Sequence, residues 1–176
     1  GIVVHLLNQE VNKGDREMQF KECYQNPFIE ERADPYITLG PDGFYYFTAS
    51  YPMKSADDKD GYDRVILRRA KDISELASAE EITIWKVADT TLTHRFIWAP
   101  ELHYIAGRWY VFYAGSEDKE NNWAFDCHVL VCDSDDPYTG TWSEKGKFQK
   151  REDDDFSFTG FSLDMTYFED GEHSYV

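Results

Sequence analysis

An all-β fold built from a repeated unit of about four strands is what this 176-residue sequence predicts, and three observations carry it. The first is the weakness of any helical signal. Nearly every apolar run is short, rich in aromatic and β-branched residues, and closed by a turn signal. The second is a recurring hairpin. Pro41-Asp42-Gly43, Ala106-Gly107 and Asp170-Gly171 each join two such runs, and the glycines at 43, 107 and 171 lie 64 residues apart each time. The third is the continuation of each complete hairpin into a further strand (VILRRA from Val65, VLVCDS from Val129) and a tryptophan-bearing edge at Trp85 and Trp142. A repeat carrying about four strands is the unit of a β-propeller. The alternative is a β-sandwich whose hairpins resemble one another by coincidence.

Taken in order, residues 1–25 read as an N-terminal leader or edge segment. GIVVHLL is apolar but lacks the basic start and small-residue cleavage site of a signal peptide, and Met18 is a candidate natural start. Residues 26–176 form one partial propeller domain. Blade one covers about 30–90: DPYITL, the proline–glycine turn, FYYFTAS, then VILRRA and the Trp85 edge. Its one expected helix is Asp72–Ala79 (DISELASA), which is rich in helix formers. Blade two covers about 95–150, from APELHYI through RWYVFYAG and VLVCDS to Trp142. The acidic stretch Glu152–Asp155 reads as a loop leading to the start of blade three, about 158–176, whose opening hairpin is LDMTYF (from Leu163) and EHSYV. A ring needs at least about four blades to close. The chain is therefore expected to supply about two and a half blades and to self-associate through an open blade edge.

Composition narrows the function. Eighteen basic against 34 acidic residues give a formal charge of −16, which repels phosphate backbones and argues against nucleic-acid binding. No apolar run of about 18 residues exists, so no membrane helix is expected. Aromatic residues make up 16% (Trp 5, Tyr 12, Phe 12), and a surface both acidic and aromatic suits a neutral sugar polymer. Cys23, Cys127 and Cys132 are an odd count with no CxxC pair. Cys127 and Cys132 stand five apart in a strand, hence on opposite faces, and free thiols point to a reducing, cytoplasmic compartment.

In a propeller the innermost strand of each blade lines the axis, and its first residue faces the central mouth. The repeat puts Asp34, Trp98 and Asp164 there. Aspartate is disfavoured in strands, so two at equivalent strand starts suggest carboxylate chemistry rather than turn-making. Hydrolysis of a glycosidic bond needs one carboxylic acid to protonate the leaving oxygen and one carboxylate acting from the other side. A further carboxylate nearby raises the acid's pKa. Glu101 and His103 share one face of their strand, where one could orient substrate or make a structural hydrogen bond. Tyr51 comes after the first hairpin and is a candidate sugar-stacking ring.

The runs NPFIEERADPYI, DGFYYFTASYP, YDRVILRRAKDISEL, IWAPELHYIAGRWYVFYAG and FSLDMTYFEDG resemble glycoside hydrolase family 43, most closely its α-L-arabinofuranosidases, from Asn26 to Val176. The resemblance implies a five-bladed propeller that inverts configuration with three acids. Asp34 matches the general base and Asp164 the aspartate that tunes the acid's pKa. The general acid is a glutamate of the next blade, which no glutamate here matches; Glu101 belongs to the WAPEL motif instead. Trp98 matches a position lining the sugar pocket, and Trp98, Tyr51 and Glu101 are the candidate substrate contacts. The implied partners are arabinose- or xylose-containing oligosaccharides. No cofactor is required, and a metal near the axis, held in the family by a histidine of the last blade, has no assignable ligand here. β-Xylosidase, endo-arabinanase and a non-catalytic sugar-binding propeller remain the alternatives.

Overall fold

A computed structural model describes residues 26–55, 57, 61–93, 95–118, 120, 123–158 and 160–176; residues 1–25, expected to be a leader or edge segment and including Met18 and Cys23, lie outside these. The described chain is all-β and forms part of a β-propeller. Strands β1 (Ala33–Leu39), β2 (Tyr45–Ser50), β3 (Arg64–Ala70) and β4 (Ile82–Lys86) make one antiparallel sheet in chain order. Strands β5 (Arg95–Ile105), β6 (Arg108–Ser116), β7 (Phe125–Cys132) and β8 (Trp142–Lys147) make a second of the same order. A two-stranded hairpin, β9 (Phe168–Glu169) and β10 (Ser174–Tyr175), opens the third.

The sheets become blades because each carries an apolar face that only the neighbouring sheet can cover. Tyr46, Val65, Leu67 and Trp85 of blade one share one buried cluster with Ile97, Leu102, Trp109, Val111, Leu130 and Trp142 of blade two. Tyr46 meets Trp109 edge-on, with ring centroids 5.1 Å apart, and the indole Nε1 of Trp109 donates to Asp135 O at 2.9 Å. Polar ties cross the same seam. Arg69 Nη1 donates to Asp136 Oδ1 at 2.9 Å, and Glu144 accepts from the Thr91 amide at 2.8 Å and hydroxyl at 2.7 Å. Phe47, Ala49, Ile66, Ala70 and Leu76 fill the other face of blade one under Phe28 and Ile29.

Two expectations change. Where the sequence suggests a helix over Asp72–Ala79, the chain makes only a single 3₁₀ turn, Ile73–Glu75, with Asp72 accepting from the Ser74 amide as its N-cap. Bonds of the i→i+3 kind carry on through the segment, from Ser78 N to Glu75 O at 3.2 Å and from Ala79 N to Leu76 O at 3.3 Å, so the chain stays in tight turns instead of an α-helix. Arg68 Nη1 adds bonds to the carbonyls of Leu76 and Ala77 at 3.2 and 2.9 Å. The tryptophan edges also differ. Trp85 lies opposite Val65 at the start of β3, whereas Trp142 lies opposite Cys132 at the end of β7.

The period along the inner strands is 65, not 64. Ile37 pairs with Phe47 and Leu102 with Val111, so the first hairpin holds one residue more than the second. Measuring from the turn glycines hides that residue. In the third hairpin Tyr175 pairs with Phe168, the same relation that Tyr110 has to His103. Tyr175 is therefore in register.

Candidate active site

The inner strands of blades one and two begin with the same irregularity. In β1 the pairing jumps from Ala33↔Ser50 to Tyr36↔Thr48, so Asp34 and Pro35 together face one residue. In β5 it jumps from Trp98↔Ala114 to Glu101↔Phe112, so Ala99 and Pro100 do the same. Proline has no N–H to give a ladder, which favours a bulge at both points. The bulge residues Asp34 and Ala99, and Asp164 at the matching place in the third blade, all take positive φ, at 50°, 44° and 57°, and stand 65 apart (34, 99, 164). Aspartate visits this region more readily than most residues, alanine rarely. A bulge with left-handed backbone re-aims the side chain, a device common beside active sites.

The mouth position of blade two is consequently Ala99. Trp98, expected there from the 64-residue spacing, stands one place earlier, opposite Ala114 as Ala33 is opposite Ser50. A repeated bond between blades fixes the alignment independently. The Ile97 amide donates to Tyr62 O at 2.6 Å, and the Ser162 amide, 65 residues on, donates to Phe125 O at 3.0 Å. Each blade's inner strand is thus sewn to the blade before it, beside the start of that blade's third strand.

Asp34 is exposed and held from below by Ser50, the last residue of β2. Ser50 Oγ donates to Asp34 Oδ2 at 2.8 Å and accepts from the Ala99 amide at 2.7 Å. The amide consumes an acceptor site on the hydroxyl and so turns its hydrogen toward the carboxylate. Nothing in the sequence pointed to Ser50 or Ala99 except their place in the repeat. Asp164, also exposed, lies close enough to blade two for its charge to act on the Cys127 thiol, whose pKa is raised chiefly by burial.

Two residues further along, the three inner strands meet again. Tyr36, Glu101 and Thr166 repeat the 65-residue interval. Glu101 accepts from Thr166 Oγ1 at 2.9 Å and from His103 Nε2 at 2.8 Å. Tyr36 Oη lies 3.4 Å from His103 Nδ1, and a ring protonated at Nε2 serves both partners. Burial, and then the charge of Glu101, raise the Tyr36 pKa. The carboxylate of Glu101 is therefore engaged by Thr166 of the third blade and by His103 of its own strand, which in turn reaches Tyr36 of blade one.

Trp98 belongs to an aromatic wall on the same end. Its ring stacks on Phe125 at 4.2 Å and on Phe96 at 5.5 Å, and meets Tyr62 and Trp123 edge-on at 5.8 and 6.4 Å. Tyr51 is engaged differently. The guanidinium groups of Arg32 and Arg64 sit over its ring, 4.2 and 4.3 Å from the centroid, so those cations occupy the surface expected to stack on sugar. Among the described residues no group of three or more His, Cys, Asp or Glu side chains could hold a metal ion. None of the described helices is long and apolar enough to cross a membrane.

A propeller that brings repeated aspartates and a wall of rings to one mouth has the makings of a carbohydrate-processing enzyme. The chain belongs to the glycosyl hydrolases family 43, whose model matches residues 24–176. It is 41% identical over 145 residues to extracellular exo-α-(1→5)-L-arabinofuranosidases of Streptomyces avermitilis and Streptomyces chartreusis; each alignment covers 82% of this chain, and 27% and 40% of those proteins. Among solved structures, an α-L-arabinofuranosidase from Lactobacillus brevis matches with a TM-score of 0.69 at 36% identity, covering 86% of this chain and 45% of that one. A thermostable family-43 glycoside hydrolase shares the fold at 16% identity, with a TM-score of 0.58, covering 85% of this chain and 42% of that one. The chain thus spans less than half the length of these relatives.

The relatives overturn the cytoplasmic expectation, since both Streptomyces proteins are described as extracellular. Free thiols misled for a physical reason. Cys127 and Cys132 are buried on opposite faces of β7, where neither can reach the other, so unpaired thiols here carry no record of the compartment.

Proposed function

We propose that this chain supplies the first blades of an inverting glycoside hydrolase that removes arabinofuranosyl units from arabinan or arabinose-containing hemicellulose outside the cell. Asp34 is the general base: it takes a proton from the water that attacks the anomeric carbon. A glutamate of a following blade protonates the leaving oxygen, and Asp164 holds that acid protonated by like-charge repulsion. The observation that carries the reading is the repeated left-handed setting, which gives Asp34 and Asp164 the same backbone conformation at one mouth while Ser50 orients the Asp34 carboxylate. The wall of rings around Trp98 supports a sugar-facing surface beside them.

The test uses the full-length protein on nitrophenyl arabinofuranoside, nitrophenyl xyloside and linear arabinan. Arabinofuranoside is expected to be cleaved best, with the anomeric configuration of the first-formed sugar inverted by NMR. The Asp34→Asn variant should lose roughly 10²–10⁴-fold in kcat, the usual share of general base catalysis. Preference for the xyloside would replace the substrate, and retained configuration would remove Asp34 from the base role.

A further inference from the structure

The loop between β6 and β7 and the approach to the third inner strand leave two large rings open at the mouth. Trp123 is 64% exposed and Phe161 is 62% exposed, with ring centroids 6.4 Å apart. Both lie at the Asp34 end. Ser116 closes β6 opposite both Arg95 and Phe125, which puts Trp123, two residues before β7, where the inner strands begin, away from the hairpin turns. Phe161 stands three residues before Asp164, as Phe96 stands three before Ala99 and Glu31 three before Asp34. Trp123 joins these rings to the wall behind them through Trp98, itself stacked on Phe125. The rings therefore run without a break from the blade one–two seam, past the carboxylate-free position of Ala99, to the strand that carries Asp164.

We infer that Trp123 and Phe161 form a stacking platform for the sugar units on the leaving side of the scissile bond, so that the site grips an oligosaccharide rather than a single sugar. The inference rests on the proposed glycosidase reading and specifies which part of the substrate these rings take. A strongly acidic chain has no ionic means of holding a neutral glycan, whereas the apolar faces of sugar rings pack on aromatic faces. Two exposed rings continuous with a half-buried aromatic wall seated on the buried Phe125 lose little side-chain freedom on binding. Blade two has no carboxylate at its mouth position, and that leaves this sector open for a neutral chain to pass.

The experiment compares kcat/KM for a linear arabinotetraose with that for methyl arabinofuranoside, whose leaving group carries no ring, in the full-length protein and its Trp123→Ala and Phe161→Ala variants. The tetraose-to-methyl ratio is expected to fall roughly five- to tenfold in each variant, in line with the loss of one ring contact. A ratio unchanged within about twofold in both variants would overturn the platform. If the unaltered protein cleaves neither substrate, the glycosidase reading itself fails, and tryptophan fluorescence titration with the tetraose decides the platform separately. Quenching abolished by Trp123→Ala supports it, and absence of quenching in the unaltered protein overturns it.

Discussion

Ser50 and Asp34 are joined by a 2.8 Å hydrogen bond in which the buried hydroxyl donates, and the direction of that bond is set from the next blade. The Ala99 amide occupies the serine oxygen at 2.7 Å, so the Ser50 hydroxyl links the Asp34 carboxylate to the second blade. A bulge in each strand is needed for this contact, because only there do the Asp34 and Ala99 backbones leave the regular ladder.

Replacing Ser50 with alanine therefore has two consequences. The Ala99 amide loses its partner in a position already strained by positive φ, which costs about 1–3 kcal/mol in urea denaturation. The freed carboxylate loses its orientation, and kcat on arabinofuranoside falls by up to about a hundredfold with little change in KM. A Ser50→Ala enzyme of normal kcat would show that Asp34 needs no such support.

Asp164→Asn removes a negative charge from the mouth without changing its size. The acid that protonates the leaving oxygen then loses protons more readily. The alkaline limb of the pH profile of kcat/KM is expected to move to lower pH, while the acid limb, which reports the base, moves less. A profile that falls uniformly at every pH would assign Asp164 to substrate binding instead.

Glu81 anchors the rear of blade one between Arg32, which donates to both its oxygens, and Arg68, whose Nε lies 3.0 Å from Oε2. Burial alone would raise its pKa, but the two guanidinium groups more than offset this and hold it below the usual value. A carboxylate depressed in the folded state stabilises fully above the unfolded value of about 4.3, and that stability is lost as pH falls through the lower folded value. Glu81→Gln strands two largely buried cations and should cost about 3 kcal/mol at pH 7, a penalty that shrinks in acid. Urea titrations at pH 7 and pH 3 measure both.

His128 is 1% exposed and stacks on Tyr113 at 5.3 Å. Burial lowers its pKa despite the opposing charge of Glu117, whose Oε1 lies 3.6 Å from Nε2. The unfolded imidazole takes up a proton near pH 6.5, the folded one only at lower pH. Stability therefore falls as pH drops below about 6.5, by at most about 1.4 kcal/mol per pH unit, until the folded value is reached. His128→Gln should flatten this slope, which thermal denaturation between pH 5 and 8 would reveal.

Much of the fold was legible in the chain. Short alternating runs, turn glycines and a tryptophan on each edge strand pointed to the four-stranded unit, because strand period and turn chemistry are local properties. Asp34 and Asp164 stood out in the chain for the same reason: an aspartate at a strand start is anomalous wherever the strand goes. Trp98 was placed one position wrong because the spacing was counted from turns of unequal length. Ser50 was missed because a serine closing a strand carries no local signal.

Local sequence patterns were enough to point to the blade, its repetition and the aspartates at two inner-strand starts, since each is written within a few dozen residues. Packing between blades was needed to put Ala99 in the matching place of blade two, to set Ser50 against Asp34, and to commit Glu101 to Thr166 and His103. Most of those facts depend on contacts between residues 16 to 65 positions apart, some of them across blades, and on bulges that shift register by one. A register shift of one residue sends every side chain beyond it to the opposite face, and only the packed blades fix where it occurs.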